Sequence, residues 1–161
     1  MFEHKQGTSK SEDYDLMLKA VDSMIADETD VCANLANITS VVNLYVDRLN
    51  WVGFYLMKEG ELVLGPFQGK PACVRIKLGK GVCGTAATRR EVVVVPNVHE
   101  FEGHIACDSA SNSEIVLPIY QRGEVYGVLD LDSPEFSRFG ELEQDALTKL
   151  ADKVSAFLDR S

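Results

Sequence analysis

The apolar positions change period along the chain, and that change divides it. Between residues 11 and 27, Tyr14, Met17, Leu18, Val21, Met24 and Ile25 recur at helical spacing; between 31 and 49, Leu35, Ile38, Val42, Tyr45 and Leu49 do the same. Two amphipathic helices are therefore predicted to open the chain. From Trp51 the period falls to two: WVGFYLMK (51–58), a Glu59-Gly60 turn, ELVLGPF (61–67) and ACVRIKL (72–78) read as strands of a meander. Gly79-Lys80-Gly81 interrupts the alternation and introduces a short helix, residues 82–90. A buried strand over 92–95 stops at Pro96. The sixteen residues from Asn97 to Asn112 then form a loop long enough for a compact domain to imply function. Strands over 113–120 and 124–132 flank Gln121-Arg122-Gly123. A last helix, from about Phe139, is expected to bury Leu142, Leu147, Leu150, Val154, Phe157 and Leu158.

Two opening helices, five or six mostly antiparallel strands and a closing helix describe an α+β fold. The expectation is a single domain over 1–161 with a flexible stretch at 1–10, the N- and C-terminal helices on one sheet face and a ligand pocket on the other. Alternation assigns the faces. Val52, Phe54 and Leu56 in the first strand, with Val125, Leu129 and Leu131 in the last, belong under the helices. Trp51, Gly53, Tyr55 and Met57 then share the pocket face with Tyr126, Val128, Asp130 and Asp132. Register decides where Glu114 points. A two-residue Arg122-Gly123 turn needs a left-handed arginine and would turn Glu114 toward the helices. A three-residue loop, Gln121-Arg122-Gly123, with Gly123 left-handed, is the better chemical fit and pairs Tyr120 with Glu124 and Glu114 with Asp130. In that register Glu114, Asp130 and Asp132 form a carboxylate cluster that repels itself and favours a proton or a cation. A solvated acidic face and a divalent metal held by the three carboxylates stay open beside it.

Charge narrows the partners. The 161 residues carry 16 Lys and Arg against 25 Asp and Glu, a net charge of -9, without a basic run. Neither nucleic acid nor an anionic membrane is expected as partner, because phosphate binding depends on clustered cations. The first ten residues lack an apolar leader region, and no stretch approaches the roughly 18 apolar residues of a membrane span. A cytoplasmic protein is expected. Its thiols are then kept reduced, so the four cysteines, Cys32, Cys73, Cys83 and Cys107, are packing residues, ligands or redox groups rather than permanent cross-links. Cys32, in a helix among small apolar residues, reads as packing. Cys73 alternates with Arg75 and Lys77 on its strand, and Cys83 falls in the first turn of its helix; each position favours a thiolate. Cys107 lies in the long loop near His99 and His104. Core filling remains open for each, and so does a zinc site built from Cys73, Cys83, Cys107 and a histidine, although the spacing matches no zinc pattern.

Three segments carry a resemblance: QGKPACVRIKLGKGVCGTAA (68–87), HIACDSASNSEIVLPI (104–119) and GVLDLDSPEF (127–136). Together they resemble the free methionine-R-sulfoxide reductases, which are single GAF domains, over roughly Trp51 to Phe136. The resemblance implies that Cys107 attacks, that Cys73 is the main resolving cysteine, and that Cys83 is a second thiol able to form a disulfide. Helix position alone would have made Cys83 the thiolate. It implies further that Glu114, Asp130 and Asp132 handle the substrate's polar groups, that Trp51 and Tyr55 wall its methyl end, that no cofactor is used, and that thioredoxin is the reductant. A homodimer is left open, and the R preference rests on the resemblance alone. The chemistry is coherent: a sulfoxide oxygen leaves only when protonated, a thiolate attacking sulfur becomes a sulfenic acid, and a second thiol closes a disulfide. The competing expectation is a GAF module that senses a small ligand without catalysis.

Overall fold

The computed structural model describes residues 1–105 and 107–161. Each long helix begins at a cap written in the sequence. Ser9 Oγ accepts the Glu12 N–H to start α1 (Lys10–Asp27), and Asp30 Oδ1 accepts the Ala33 N–H to start α2 (Val31–Tyr45). At α4 (Glu141–Asp159) the Gly140 N–H donates back to Glu143 Oε1 at 3.1 Å. Between them lie β1 (Trp51–Lys58), β2 (Glu61–Gly69), β3 (Arg75–Lys77), α3 (Gly81–Arg89), β4 (Val93–Val95), β5 (Ser113–Gln121) and β6 (Glu124–Ser133). The six strands form one sheet in the order β3-β2-β1-β6-β5-β4, every adjacent pair antiparallel.

Val52, Phe54, Leu117, Leu129 and Leu131 pack under α1, α2 and α4 in the larger core. The opposite face is not simply free, as alternation alone implied. Trp51, Tyr55, Val116 and Val128 join Val82, Cys83 and Ala86 in a second, smaller core that α3 closes. Gly84 allows this approach, since a Cβ there would meet Lys77 O at 2.5 Å. Leu142, expected inside, is 41% exposed on the outer side of α4.

The hairpin between β5 and β6 departs from the expected register. Gln121 pairs with Glu124 across a two-residue turn in which Arg122 (φ 50°) and Gly123 (φ 80°) are both left-handed. The arginine tolerates this because its N–H donates to Asp159 Oδ1 at 2.7 Å at the end of α4. The register then shifts at Ile119/Tyr120, where Tyr126 is the extra residue, and Glu114 pairs with Asp132 and Val116 with Asp130. The two departures together move the register by two residues, so Glu114 keeps the predicted face while its partner changes. The bulge also exchanges two side chains: Val125 packs on the pocket side and Tyr126 against the helix-side core.

Candidate active site

A cleft open to solvent lies where α3 leaves the second face of the sheet uncovered. Its floor comes from β5 and β6, which deliver Glu114, Asp130 and Asp132; its wall comes from β1, which delivers Trp51 and Tyr55. Trp51 stacks between Tyr55 (5.8 Å between centroids) and Phe67 (5.4 Å). Gly53 makes room for this stack, because a Cβ there would collide with the Trp51 ring and Phe67 Cβ. Each wall residue is pinned at its polar end: Trp51 Nε1 donates to Lys70 O at 3.2 Å, and the Tyr55 hydroxyl to Cys73 O at 2.8 Å.

Cys73 and Cys107, 34 residues apart in sequence, are joined by a disulfide with their Cα atoms 5.6 Å apart. Cys107 lines the cleft. Cys73 does not lie on a strand, as its alternation with Arg75 and Lys77 implied. β2–β3 pairing covers only Glu61–Val63 against Arg75–Lys77, which leaves Cys73 in the connecting segment beyond Pro71. That segment is what lets it reach across the cleft mouth. A zinc site that uses all three thiols is incompatible with the disulfide.

Cys83 sits deeper, fully buried, with its Sγ 3.3 Å from Asp130 Oδ2. Burial, followed by the charges of Asp130, Glu114 and Asp132, pushes its thiol well above the ordinary range. The helix-position reading of Cys83 as the thiolate is thereby overturned: desolvation and three carboxyls outweigh a short helix that has no side-chain cap. Cys32 is corrected too, being exposed in the first turn of α2 rather than packed.

The carboxyl cluster is the electrostatic centre of the cleft. Glu114 (7% exposed) and Asp130 (5%) are buried and Asp132 is half-buried. Burial first, then the mutual charges, raises Glu114 and Asp132 well above the carboxylate range. Asp130 is raised by burial, with the Glu114 and Cys83 hydrogen bonds pulling the other way. Among the described residues no Lys or Arg forms an ion pair with them. His104 Nε2 is 3.9 Å from Glu114 Oε1, but burial and His99 hold that imidazole below its ordinary value. Asp130 Oδ1 has no hydrogen-bond partner among the described residues. Cys83 Sγ and one oxygen each from Glu114 and Asp130 lie within 4.8 Å of one another. Two of the three are joined by the thiol's hydrogen bond to Asp130.

One element of the site was not read from the sequence. Asn50 Nδ2 donates to Asp108 Oδ2 and to Ser111 Oγ, both at 3.0 Å, tying the loop that carries Cys107 to the start of β1. Asp108 Oδ1 accepts the Ala110 N–H in turn, so DSAS (108–111) is an Asx turn that its composition could have revealed.

Residues 29–158 match the model of the GAF domain family. The chain is 46% identical to the free methionine-R-sulfoxide reductase of Escherichia coli, over 93% of this chain and 91% of that one. The chain belongs to the free methionine-R-sulfoxide reductase family of GAF domains. Another relative, protein YtsP of Bacillus subtilis, is 51% identical over 96% of each chain. The X-ray structure of free methionine-R-sulfoxide reductase from Neisseria meningitidis, solved in complex with its substrate, superposes with a TM-score of 0.93 at 42% identity, covering 99% of this chain and 97% of that one. No helix among the described residues is long and apolar enough to cross a membrane.

Proposed function

We propose that this chain reduces free methionine-R-sulfoxide to methionine with its own thiols and is returned to the reduced state by thioredoxin. The observation that carries the reading is the Cys73–Cys107 disulfide beside a cleft whose floor is three carboxyls with raised proton affinity and whose wall is aromatic. Trp51 and Tyr55 offer flat faces to a methyl group. The cluster does two electrostatic tasks. A member kept protonated by burial delivers its proton to the sulfoxide oxygen, and the remaining negative charge holds the substrate's ammonium. A peptide-bound residue has no ammonium to offer, so the free amino acid is preferred.

Cys107 Sγ attacks the substrate sulfur as a thiolate. The sulfoxide is reduced by two electrons, methionine leaves, and the oxygen remains on Cys107 as a sulfenic acid. The Cys73 thiol then displaces that oxygen as water and forms the disulfide. Cys83 is the reserve thiol: its hydrogen bond to Asp130 and its burial keep it neutral while Cys107 reacts. An external dithiol must reduce Cys73–Cys107 to close the cycle.

NADPH oxidation coupled through thioredoxin and its reductase tests the reading, using free R- and S-epimers and a peptide-bound sulfoxide. Turnover with the free R-epimer alone is expected. An inert protein that instead binds a nucleotide or another metabolite would favour the ligand-sensing module.

A further inference from the structure

The surface around the disulfide differs from the rest of the molecule in two ways. Cys73 and Cys107 are half-buried, and large apolar side chains stand exposed beside them. Val74, 61% exposed, follows Cys73, and Leu78, 42% exposed, follows the strand that Cys73 leads into; Ile105, 38% exposed, precedes Cys107 by two residues and lies against Gly81. The second difference is charge. Residues 62–90 contain six Lys and Arg and no Asp or Glu, in a chain with 16 and 25. Arg75 is matched by Glu61 at 2.7 Å. Lys77 and Lys80 are exposed and make no ion pair among the described residues, and Lys70 lines the cleft mouth.

Protection of an edge strand explains part of this. β3 is the end of the sheet, and Arg75 and Lys77 discourage pairing with another chain. That role leaves Lys70, Lys80 and the exposed Val74 and Leu78 unexplained, because none of them lies on β3. Val74 adjoins Cys73, Ile105 lies against Gly81 two residues before Cys107, Lys80 precedes Gly81 in the chain and Lys70 lines the cleft, so exposed apolar and cationic side chains border a disulfide that a reductant must reach.

Taking Cys73–Cys107 to be the catalytic disulfide proposed above, we infer that this surface is the docking site for the reductant, a dithiol protein whose reactive thiol emerges from an apolar face rimmed by carboxylates. The apolar contacts supply burial, and the opposite charges steer and orient the encounter. Once docked, a partner thiolate attacks one sulfur of the pair, forming a mixed disulfide and releasing the other cysteine as a thiolate. The partner's second thiol then attacks the mixed disulfide. Two electrons and two protons pass to Cys73 and Cys107, and the partner leaves as a disulfide.

The test compares oxidised wild type with the charge-reversed variant Lys80→Glu, a residue that does not line the cleft. Reduction is followed by rapid mixing with reduced thioredoxin, acid quench and thiol labelling. The variant is expected to react about tenfold more slowly at low salt, with the gap closing as salt screens the charges. Its reduction by dithiothreitol and its single-turnover release of methionine should match wild type. Equal rates of reduction by thioredoxin in the two proteins, or an equal slowing with dithiothreitol, would overturn the docking surface. Failure of reduced wild type to release methionine would instead remove the catalytic reading, a separate result from the same preparation.

Discussion

Glu143 and Glu114 are equally buried, each 7% exposed, and titrate in opposite directions. Glu143, in the first turn of α4, accepts the Tyr14 hydroxyl at 2.8 Å and the Gly140 N–H at 3.1 Å, and lies 3.5 Å from Arg138. Burial would raise it, but these donors and the guanidinium together hold it below the carboxylate range. Burial in the same cluster pushes the Tyr14 phenol up to about 12. Arg138 also grips Asp47 at 2.9 Å, which joins the start of α4 to the segment after α2. Glu114 is equally shielded from solvent but faces Asp130 and Asp132, so burial raises it and their charges add to the rise. The lesson is that burial pushes both carboxyls upward, and that donors and a counter-charge decide whether the push is reversed, as at Glu143, or reinforced, as at Glu114.

Substitutions can break or sharpen that contrast. Cys107→Ser, which removes the thiol at the unpaired cluster, should lower turnover on the order of a thousandfold or more, as measured in the coupled assay. Arg138→Met should act only on the paired cluster. It leaves Glu143 buried without its cation and should cost about 3 to 5 kcal/mol in denaturant unfolding, with kcat/KM of the folded enzyme unchanged. Glu114→Gln or Asp130→Asn should show the reverse, a loss of about a hundredfold in kcat/KM with a melting temperature equal to wild type or higher. A variant of either cluster that damaged stability and rate alike would erase the distinction.

The smallest effect concerns pH. Glu114, Asp130 and Asp132 titrate above their unfolded values, so in the folded chain they hold protons that the unfolded chain has released. Their stabilisation is fully present below about pH 4 and is lost as pH rises through the folded values. Glu143 runs the other way: its contribution is present above about pH 4 and is lost as pH falls through its lowered value. Calorimetry across that range should find that Glu114→Gln flattens the decline toward neutral pH and Glu143→Gln flattens the decline toward acid.

Most elements were legible because each has a strong period or a local cap, as with Asp30 before α2 and the alternation of WVGFYLMK. The faces of β1 followed directly. The β5–β6 hairpin did not, because its turn depends on Asp159, 37 residues away, and a tertiary partner for Arg122 leaves no trace in local turn chemistry. Glu114 nevertheless reached the predicted face because the bulge at Tyr126 restored the parity that the shorter turn removed. Cys83 was misjudged locally for a related reason. Its helix position could be read, but the carboxyls that surround it come from β5 and β6. The disulfide partners came from the family resemblance rather than from spacing.

The central claim is that Cys73 and Cys107 are the two thiols that reduce a free sulfoxide held over the carboxyl cluster. Reduced enzyme mixed with excess free methionine-R-sulfoxide, without reductant, tests it most directly by counting released methionine and mapping disulfides by peptide mass. One methionine per chain is predicted, together with a Cys73–Cys107 bond and a Cys83 thiol that still takes up label after unfolding. No methionine, or methionine released with Cys73 and Cys107 both still reduced, would contradict the account.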